Sequence, residues 1–414
     1  MGILISKIHD IQNTKWAKTI AECSFCLAVF VEIVIVIWDK FQFTNPIEGR
    51  LFQVSFALCV VKVIFTKYEL REYITVFLFC FLGLAIDFFG GRNEILRIFM
   101  FVAACKGINM KKCLRYVFLM TSVGCFAIVS LAVTGIYGDV TVLKRYQEGD
   151  LLEFGVDKIR YCFGMGNPNS FHIMVAVLII LGLYIFHEKI QSWMLLVLGL
   201  ADGIIFYFTR CKTGLIIIAF ALILFVIEKY ASNKFRKILD RLFLLGSVLF
   251  VFFSIWLATL AEEIRTLYFI NYDNKEKHWL YKLNKLLTGR IMSLAENEKY
   301  DGAAQSWSVF TQPGHDKYID LGYVRLYYWY GIIPATVILV IFLILMIYLI
   351  RENKHYEMTL LFIIALFTVI EAHFVSVYIG RCYPLFILGS YWPFLLQWRK
   401  KTDEQQLGQT NFED

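Results

Sequence analysis

Ile332–Ile350 reads IIPATVILVIFLILMIYLI, with no charged residue until Arg351. A bilayer core of about 30 Å needs about 20 helical residues, so this stretch has the length and composition of one membrane crossing. Working outward, comparable runs place about twelve crossings, at 19–38, 50–66, 73–89, 93–109, 115–135, 169–187, 190–208, 212–229, 240–261, 323–350, 356–374 and 381–398. The composition agrees. The chain is 58% hydrophobic and 18% charged, whereas soluble domains lie nearer half and a quarter. With 38 Phe against 6 Pro it does not read as disordered, and the runs are too long for buried strands. The fold expected is an all-α polytopic membrane protein, with residues 1–414 forming a single transmembrane domain.

The net charge is +7, but no basic patch on a soluble surface is visible, so nucleic acid is not an expected partner. Most of the ten cysteines sit inside apolar runs. Cys23 and Cys26 form a C-x-x-C within the first crossing, without a second pair or nearby histidines. They read as small helix residues, and no zinc site or disulfide framework is implied. The first 18 residues are polar and no Ala-x-Ala-like cleavage site follows the first apolar run, so no cleavable leader is expected.

Cytoplasmic loops of membrane proteins are enriched in Lys and Arg. If both termini are cytoplasmic, the cytoplasmic segments hold twenty such residues and the short outer loops six: Lys40, Arg50, Arg92, Arg210, Lys212 and Arg381. Residues 399–414 then form a cytoplasmic tail. The two long connections, 136–168 and 262–322, both fall on the outer side. Long loops are commonly functional, which puts the working apparatus at the outer face.

Glu32, Lys62, Asp87, Asp202 and Glu371 are charges that lie inside crossings. Each costs about 2.5–3.5 kcal/mol at a helix centre. They serve either a substrate cavity or pairs that join helices. A second set is basic and lies at the outer surface. Arg160 precedes YCFGMGNPN, residues 161–169, which leads into the sixth crossing. Thr209-Arg210-Cys211-Lys212-Thr213-Gly214 is a tight hairpin, and Arg290 follows Thr288-Gly289 in the long loop. A basic residue beside small residues at a helix boundary suits a phosphate or diphosphate; the alternative for each one alone is snorkelling to the interface.

The 262–322 loop carries Tyr268, Tyr272, Trp279, Tyr281, Tyr300, Trp307 and Tyr318. These rings either stack on sugars or float the loop at headgroup level as an aromatic belt. Lys277 to Arg290 reads as a short amphipathic helix lying in the interface, with Leu280, Leu283 and Leu287 on its apolar face. Before the tenth crossing, Gly314-His315-Asp316-Lys317-Tyr318-Ile319-Asp320-Leu321-Gly322-Tyr323 brings a histidine and two carboxylates near the outer mouth. His315 or Asp320 suits a general base for transfer to a hydroxyl; Asp320 equally suits a helix N-cap.

Taken in order, the series runs from a basic residue before Phe-Gly-x-Gly-Asn-Pro-Asn through Thr-x-Cys-Lys-Thr-Gly and Thr-Gly-Arg to Asp-x-Gly-Tyr and Tyr-Gly-Ile. It resembles the Wzy-type polymerases of capsular and O-antigen repeat units, relatives of the O-antigen ligases. The resemblance covers roughly 155–395, and the first 150 residues share only hydropathy. It implies a GT-C-like glycosyltransferase of the bacterial inner membrane, without a metal or other cofactor. Such an enzyme moves a growing glycan from undecaprenyl pyrophosphate onto a new lipid-linked repeat unit. Membrane lipid surrounds it, and a flippase and a chain-length regulator are its implied protein partners. Arg160, Asn167, Asn169, Arg210, Lys212, Tyr323 and Glu371 would bind substrate, with His315, Asp320 and Arg290 catalytic. Lys212 and Cys211 stand where the family has Arg and Ser, so this site offers a point charge in place of a bidentate fork. The alternatives are an O-antigen-ligase-like transferase, whose patterns overlap, and a lipid-linked oligosaccharide flippase or other twelve-span transporter. No internal repeat is evident to favour a transporter.

Overall fold

The structure, a computed structural model, describes residues 10–41, 45–145, 157–270, 277–295 and 302–410. Twelve of its helices fall on the twelve apolar segments: α1 (Lys15–Asp39), α2 (Glu48–Ile64), α3 (Leu70–Gly90), α4 (Glu94–Ala104), α5 (Met110–Val133), α6 (Pro168–Phe186), α7 (Ser192–Thr209), α8 (Lys212–Tyr230), α9 (Asn233–Thr259), α14 (Ile332–Arg351), α15 (His355–Ile370) and α16 (Tyr383–Thr410). Eight of them, α1, α3, α5 to α9 and α14, are long and apolar enough to cross a membrane, and α15 is a shorter apolar helix. Their outward faces are oily: Phe88 is 85% exposed, Phe126 73% and Leu200 62%. Apolar exposure on that scale suits lipid and not water. The chain is a polytopic helical membrane protein.

Local chemistry sets the helix ends. Thr14, Asn109 and Ser232 each cap a helix by accepting a backbone N–H. Asn167 caps α6, and Pro168 follows at the first helical position, where its missing N–H costs nothing. The largest apolar cluster of the interior runs through α1, α6, α8, α15 and α16.

Several expectations need correction. The first long loop adds a β-hairpin to the helical fold: β1 (Thr141–Arg145) pairs antiparallel with β2 (Asp157–Tyr161). The second long loop is structured, holding α10 (Ala261–Ile270), α11 (Trp279–Leu286) and α12 (Arg290–Ser293). The amphipathic helix stops at Leu286 because Thr288 and Gly289 adopt φ of +55° and +81°. Its Leu280 and Leu283 pack against Ile264 and Leu267 of α10, so that face is covered by protein. Tyr272 and Tyr300 lie outside the described residues. The tenth segment is broken: α13 (Gly322–Tyr330) ends at Gly331, where φ is +86° and a Cβ would come within 2.5 Å of the Phe310 carbonyl carbon. The eleventh helix stops at Ile370, and the residues called a tail continue α16 as far as Thr410.

Contacts between connections sort into two ends. At one end Arg92 donates to the His315 carbonyl, Arg381 meets Asp39, and Phe41 meets Tyr137. At the opposite end Gln12 bonds to Ile64, Lys111 pairs with Glu188, and His355 pairs with Asp240. The hairpin and α10–α12 share the first end, the loop-bearing end.

Among these interior charges, Glu32 pairs with Arg97 (3.2 Å) and Asp202 with His172 (2.7 Å), each joining two helices. Glu371 pairs with Arg290. Lys62 instead donates to the Thr66 hydroxyl just past the end of its own helix (3.0 Å).

Candidate functional site

Arg160 sits on β2 opposite Val142, with its side chain buried while the neighbouring Ile159 faces out. Its Nε donates to the Thr209 carbonyl (2.8 Å) and an Nη to Asn169 Oδ1 (2.9 Å). That carbonyl is one of those left over at the end of α7, where the helix dipole favours a cation. The Thr209 hydroxyl meets His172 Nδ1 (2.9 Å), and His172 Nε2 meets Asp202. Arg160 therefore pins the hairpin onto α6 and α7. Asn167 and Asn169, expected to touch substrate, are engaged in this junction: Asn167 accepts the Asn169 N–H (3.1 Å), and the Asn169 side chain holds Arg160.

The 209–214 hairpin follows directly. Arg210 takes φ of +53° to end α7, and its guanidinium lies 4.9 Å from the Tyr207 ring. Arg210 and Lys212 are exposed, whereas Cys211 between them is buried. Burial pushes the Cys211 thiol up to about 11; the charge of Glu371 adds to this, and Arg160 and Arg290 oppose it. Arg160 of β2 is hydrogen-bonded to the Thr209 carbonyl, two residues before this thiol.

Arg290 opens α12. One Nη donates to Glu371 Oε1 (2.5 Å), the other to the Thr288 hydroxyl (2.7 Å), and Nε lies 4.0 Å from Asp320 without a hydrogen bond. Glu371 is the residue just past α15, and burial pushes its carboxyl up to about 7 against the pull of Arg290. Asp320 does not cap α13; the cap position is Leu321 and makes no side-chain bond. It is drawn in because Gly322 packs so closely on α15 that a Cβ would lie 2.7 Å from the Thr368 carbonyl. Arg290, Asp320 and Glu371 are brought together.

Two expected residues are placed elsewhere. Tyr323 is buried, with its hydroxyl donating to the Ala365 carbonyl inside the bundle (3.2 Å). His315 stacks on Tyr328 (4.5 Å between ring centres) and bonds through Nδ1 to the Tyr328 carbonyl. Arg92, lying over the Trp329 ring, holds the His315 backbone.

The structure adds residues that the motifs passed over. Arg325, 1% exposed, donates to the Ile319 (2.7 Å) and Val375 (3.0 Å) carbonyls and lies 3.6 Å from the centre of the Tyr318 ring. Its field reaches Glu371 on one side and His373 on the other. Burial keeps His373 well below the usual imidazole range, and Arg381, Lys40 and Arg325 push it the same way. Lys212, Arg160, Arg290, Arg325, Arg381 and Lys40 all belong to the elements and connections of the loop-bearing end. The signal for Arg325 was an arginine within the apolar tenth segment, the mark of a functional or partnered group.

Compared with known proteins, the chain matches no family, no curated protein and no solved structure.

Proposed function

We propose that the chain is a Wzy-type polysaccharide polymerase: a GT-C-like glycosyltransferase with twelve crossings and both termini in the cytoplasm of a bacterial cell. The loop-bearing end would then face outward, where undecaprenyl-pyrophosphate-linked repeat units are joined. The observation that carries this reading is the cluster of Arg290, Glu371 and Asp320 at the loop-bearing end, the end at which the junction held by Arg160 leaves Arg210 and Lys212 exposed.

In this mechanism Arg210, Lys212 and Arg290 take the diphosphate of the growing chain. The hydroxyl oxygen at the non-reducing end of the acceptor attacks the anomeric carbon of the donor sugar. The bond from that carbon to the diphosphate oxygen breaks, and the diphosphate leaves on its lipid with both bonding electrons. Fixed cations stabilise that charge as it develops, commonly the largest contribution to such catalysis. The hydroxyl proton passes to Asp320, whose side chain is 48% exposed and stands beside Arg290. Asp320 is better placed for this than His315, whose Nδ1 is committed to Tyr328.

Gel analysis of lipid-linked glycans from cells with and without the gene tests the reading. A polymerase leaves single repeat units on the lipid when absent. Long lipid-linked chains in the deletion strain would mean a ligase, and unassembled units confined to the cytoplasmic leaflet a flippase.

A further inference from the structure

His172 is fully buried beneath the Arg210–Lys212 hairpin. It stands one turn beyond Asn169 on α6, so the helix face that holds Arg160 also presents the imidazole. The ring touches both limbs of the hairpin. On the α7 limb its Nδ1 meets the Thr209 hydroxyl (2.9 Å), while Arg160 holds the carbonyl of the same residue. On the α8 limb it packs against Gly214, where a Cβ would lie 2.6 Å from His172 Cδ2. Only glycine admits the ring there, since the ring is bonded at both nitrogens and cannot give way. Its Nε2 meets Asp202 (2.7 Å), two turns before Thr209 on α7. Arg210 and Lys212 lie between these two limbs, exposed.

The Thr209 hydroxyl fixes where the hydrogens of His172 sit. A hydroxyl has one hydrogen to give, and its oxygen accepts. That of Thr209 donates to the Ile205 carbonyl (2.9 Å), and its oxygen accepts the Cys211 N–H (3.4 Å). It has no second hydrogen for the imidazole, so Nδ1 carries one and donates it to Thr209. The contact of Nε2 with Asp202 then needs one further hydrogen, shared between ring and carboxyl. The pair has no net charge, which suits side chains that are 0% and 2% exposed.

We propose that His172 is a positioning residue: held with a hydrogen on Nδ1 by Asp202, it sets the hairpin backbone from which Arg210 and Lys212 reach the diphosphate. The inference rests on the reading above, in which that hairpin binds the leaving group. Two exposed cations grip a ligand tightly only where their backbone is already set, because ordering it on binding costs affinity.

The test uses the full-length protein in lipid nanodiscs. Nitrogen NMR with isotope-labelled histidine, the His172 signals assigned by their shift in Asp202→Asn, should show a protonated Nδ1. His172→Gln keeps an amide toward Asp202 and loses the donor to Thr209. It should raise amide exchange over residues 210–214 about tenfold, the effect of one lost hydrogen bond, and leave α9 unchanged. On a lipid-linked repeat unit it should raise KM about tenfold with kcat little changed, because lost positioning weakens ground-state and transition-state binding alike. A mere loss of folded protein would lower kcat instead. Asp202→Asn can still donate to Nε2 and leave the hydrogen on Nδ1, so its exchange and KM should stay within about twofold of the wild type. Should His172→Gln fail to fold, the wild-type spectrum and Asp202→Asn decide. A bare Nδ1 in the wild type, unchanged exchange in folded His172→Gln, or a tenfold rise of KM in Asp202→Asn overturns the proposal. The spectrum and the exchange need no substrate, so they test the lock even if the protein proves not to polymerise. Normal polymerisation with an unchanged KM in His172→Gln overturns the positioning role and leaves the polymerase reading standing.

Discussion

Arg290 and Glu371 stand 81 residues apart and join at 2.5 Å, tying the first turn of α12 to the end of α15. The pair fixes the long loop onto the bundle and brings Asp320 alongside. Both side chains are about nine-tenths buried. Taking one partner from such a pair leaves an uncompensated charge, which costs about 3–5 kcal/mol.

Glu371→Ala should accordingly lower the melting temperature more than Glu371→Gln, which keeps a hydrogen-bond acceptor for Arg290. The pH dependence follows from a carboxyl raised to about 7 in the folded protein. The folded state then holds the proton more tightly than the unfolded one, so this contribution is full below the unfolded value and is lost as pH rises through about 7. Melting curves between pH 5 and 8 should fall with rising pH in the wild type and flatten in Glu371→Gln. Parallel curves would show that Glu371 does not titrate there.

Lys212 is exposed at the first turn of α8 and carries no structural bond that its loss would break. Lys212→Ala should slow polymerisation at least tenfold at an unchanged melting temperature, and Lys212→Arg should retain activity, because a guanidinium grips a diphosphate bidentately. Turnover of purified protein on a lipid-linked repeat unit measures this; full activity in Lys212→Ala removes the hairpin from the site.

Arg160 holds the hairpin to the bundle through two charge-assisted hydrogen bonds, each worth about 1.5–3 kcal/mol. Arg160→Ala should raise amide exchange in Thr141–Arg145 and Asp157–Tyr161 by at least tenfold and leave exchange in α9 unchanged. Protection unaltered in both strands would show that the hairpin is held by something else.

Asp320→Asn should lower kcat at least a hundredfold with KM and melting temperature little changed. His315→Ala should chiefly lower the melting temperature, since its ring packs on Tyr328. The reverse pattern would move the base to His315.

Where one element needs only its own residues, the sequence already tells the story. Ile332–Ile350 is a helix because nothing in it interrupts an apolar run, and Asn167-Pro168 starts α6 by its own capping chemistry. Arg160, Lys212 and Arg290 were visible as cations at boundaries, and pairing was one of the two readings open for Glu32, Asp202 and Glu371. The hairpin was not legible, since Lys144, Arg145 and Lys158 hide any apolar alternation and the pairing is made by chain at a distance. The break at Gly331 depends on Phe310 packing against it from the loop. Asn167, Asn169 and Tyr323 look like substrate contacts until their internal partners are placed. Arg325 escaped because its apolar neighbours in the tenth segment outweigh it in a reading by periodicity.

The most direct test of the account incubates purified protein in nanodiscs with a single undecaprenyl-pyrophosphate-linked repeat unit and follows both glycan length and released lipid diphosphate. The wild type should build a ladder and release one lipid diphosphate for each bond formed. Arg290→Ala, folded by its melting curve, should leave only single units. A ladder undiminished in that variant, or units that cross the membrane without growing, would contradict it.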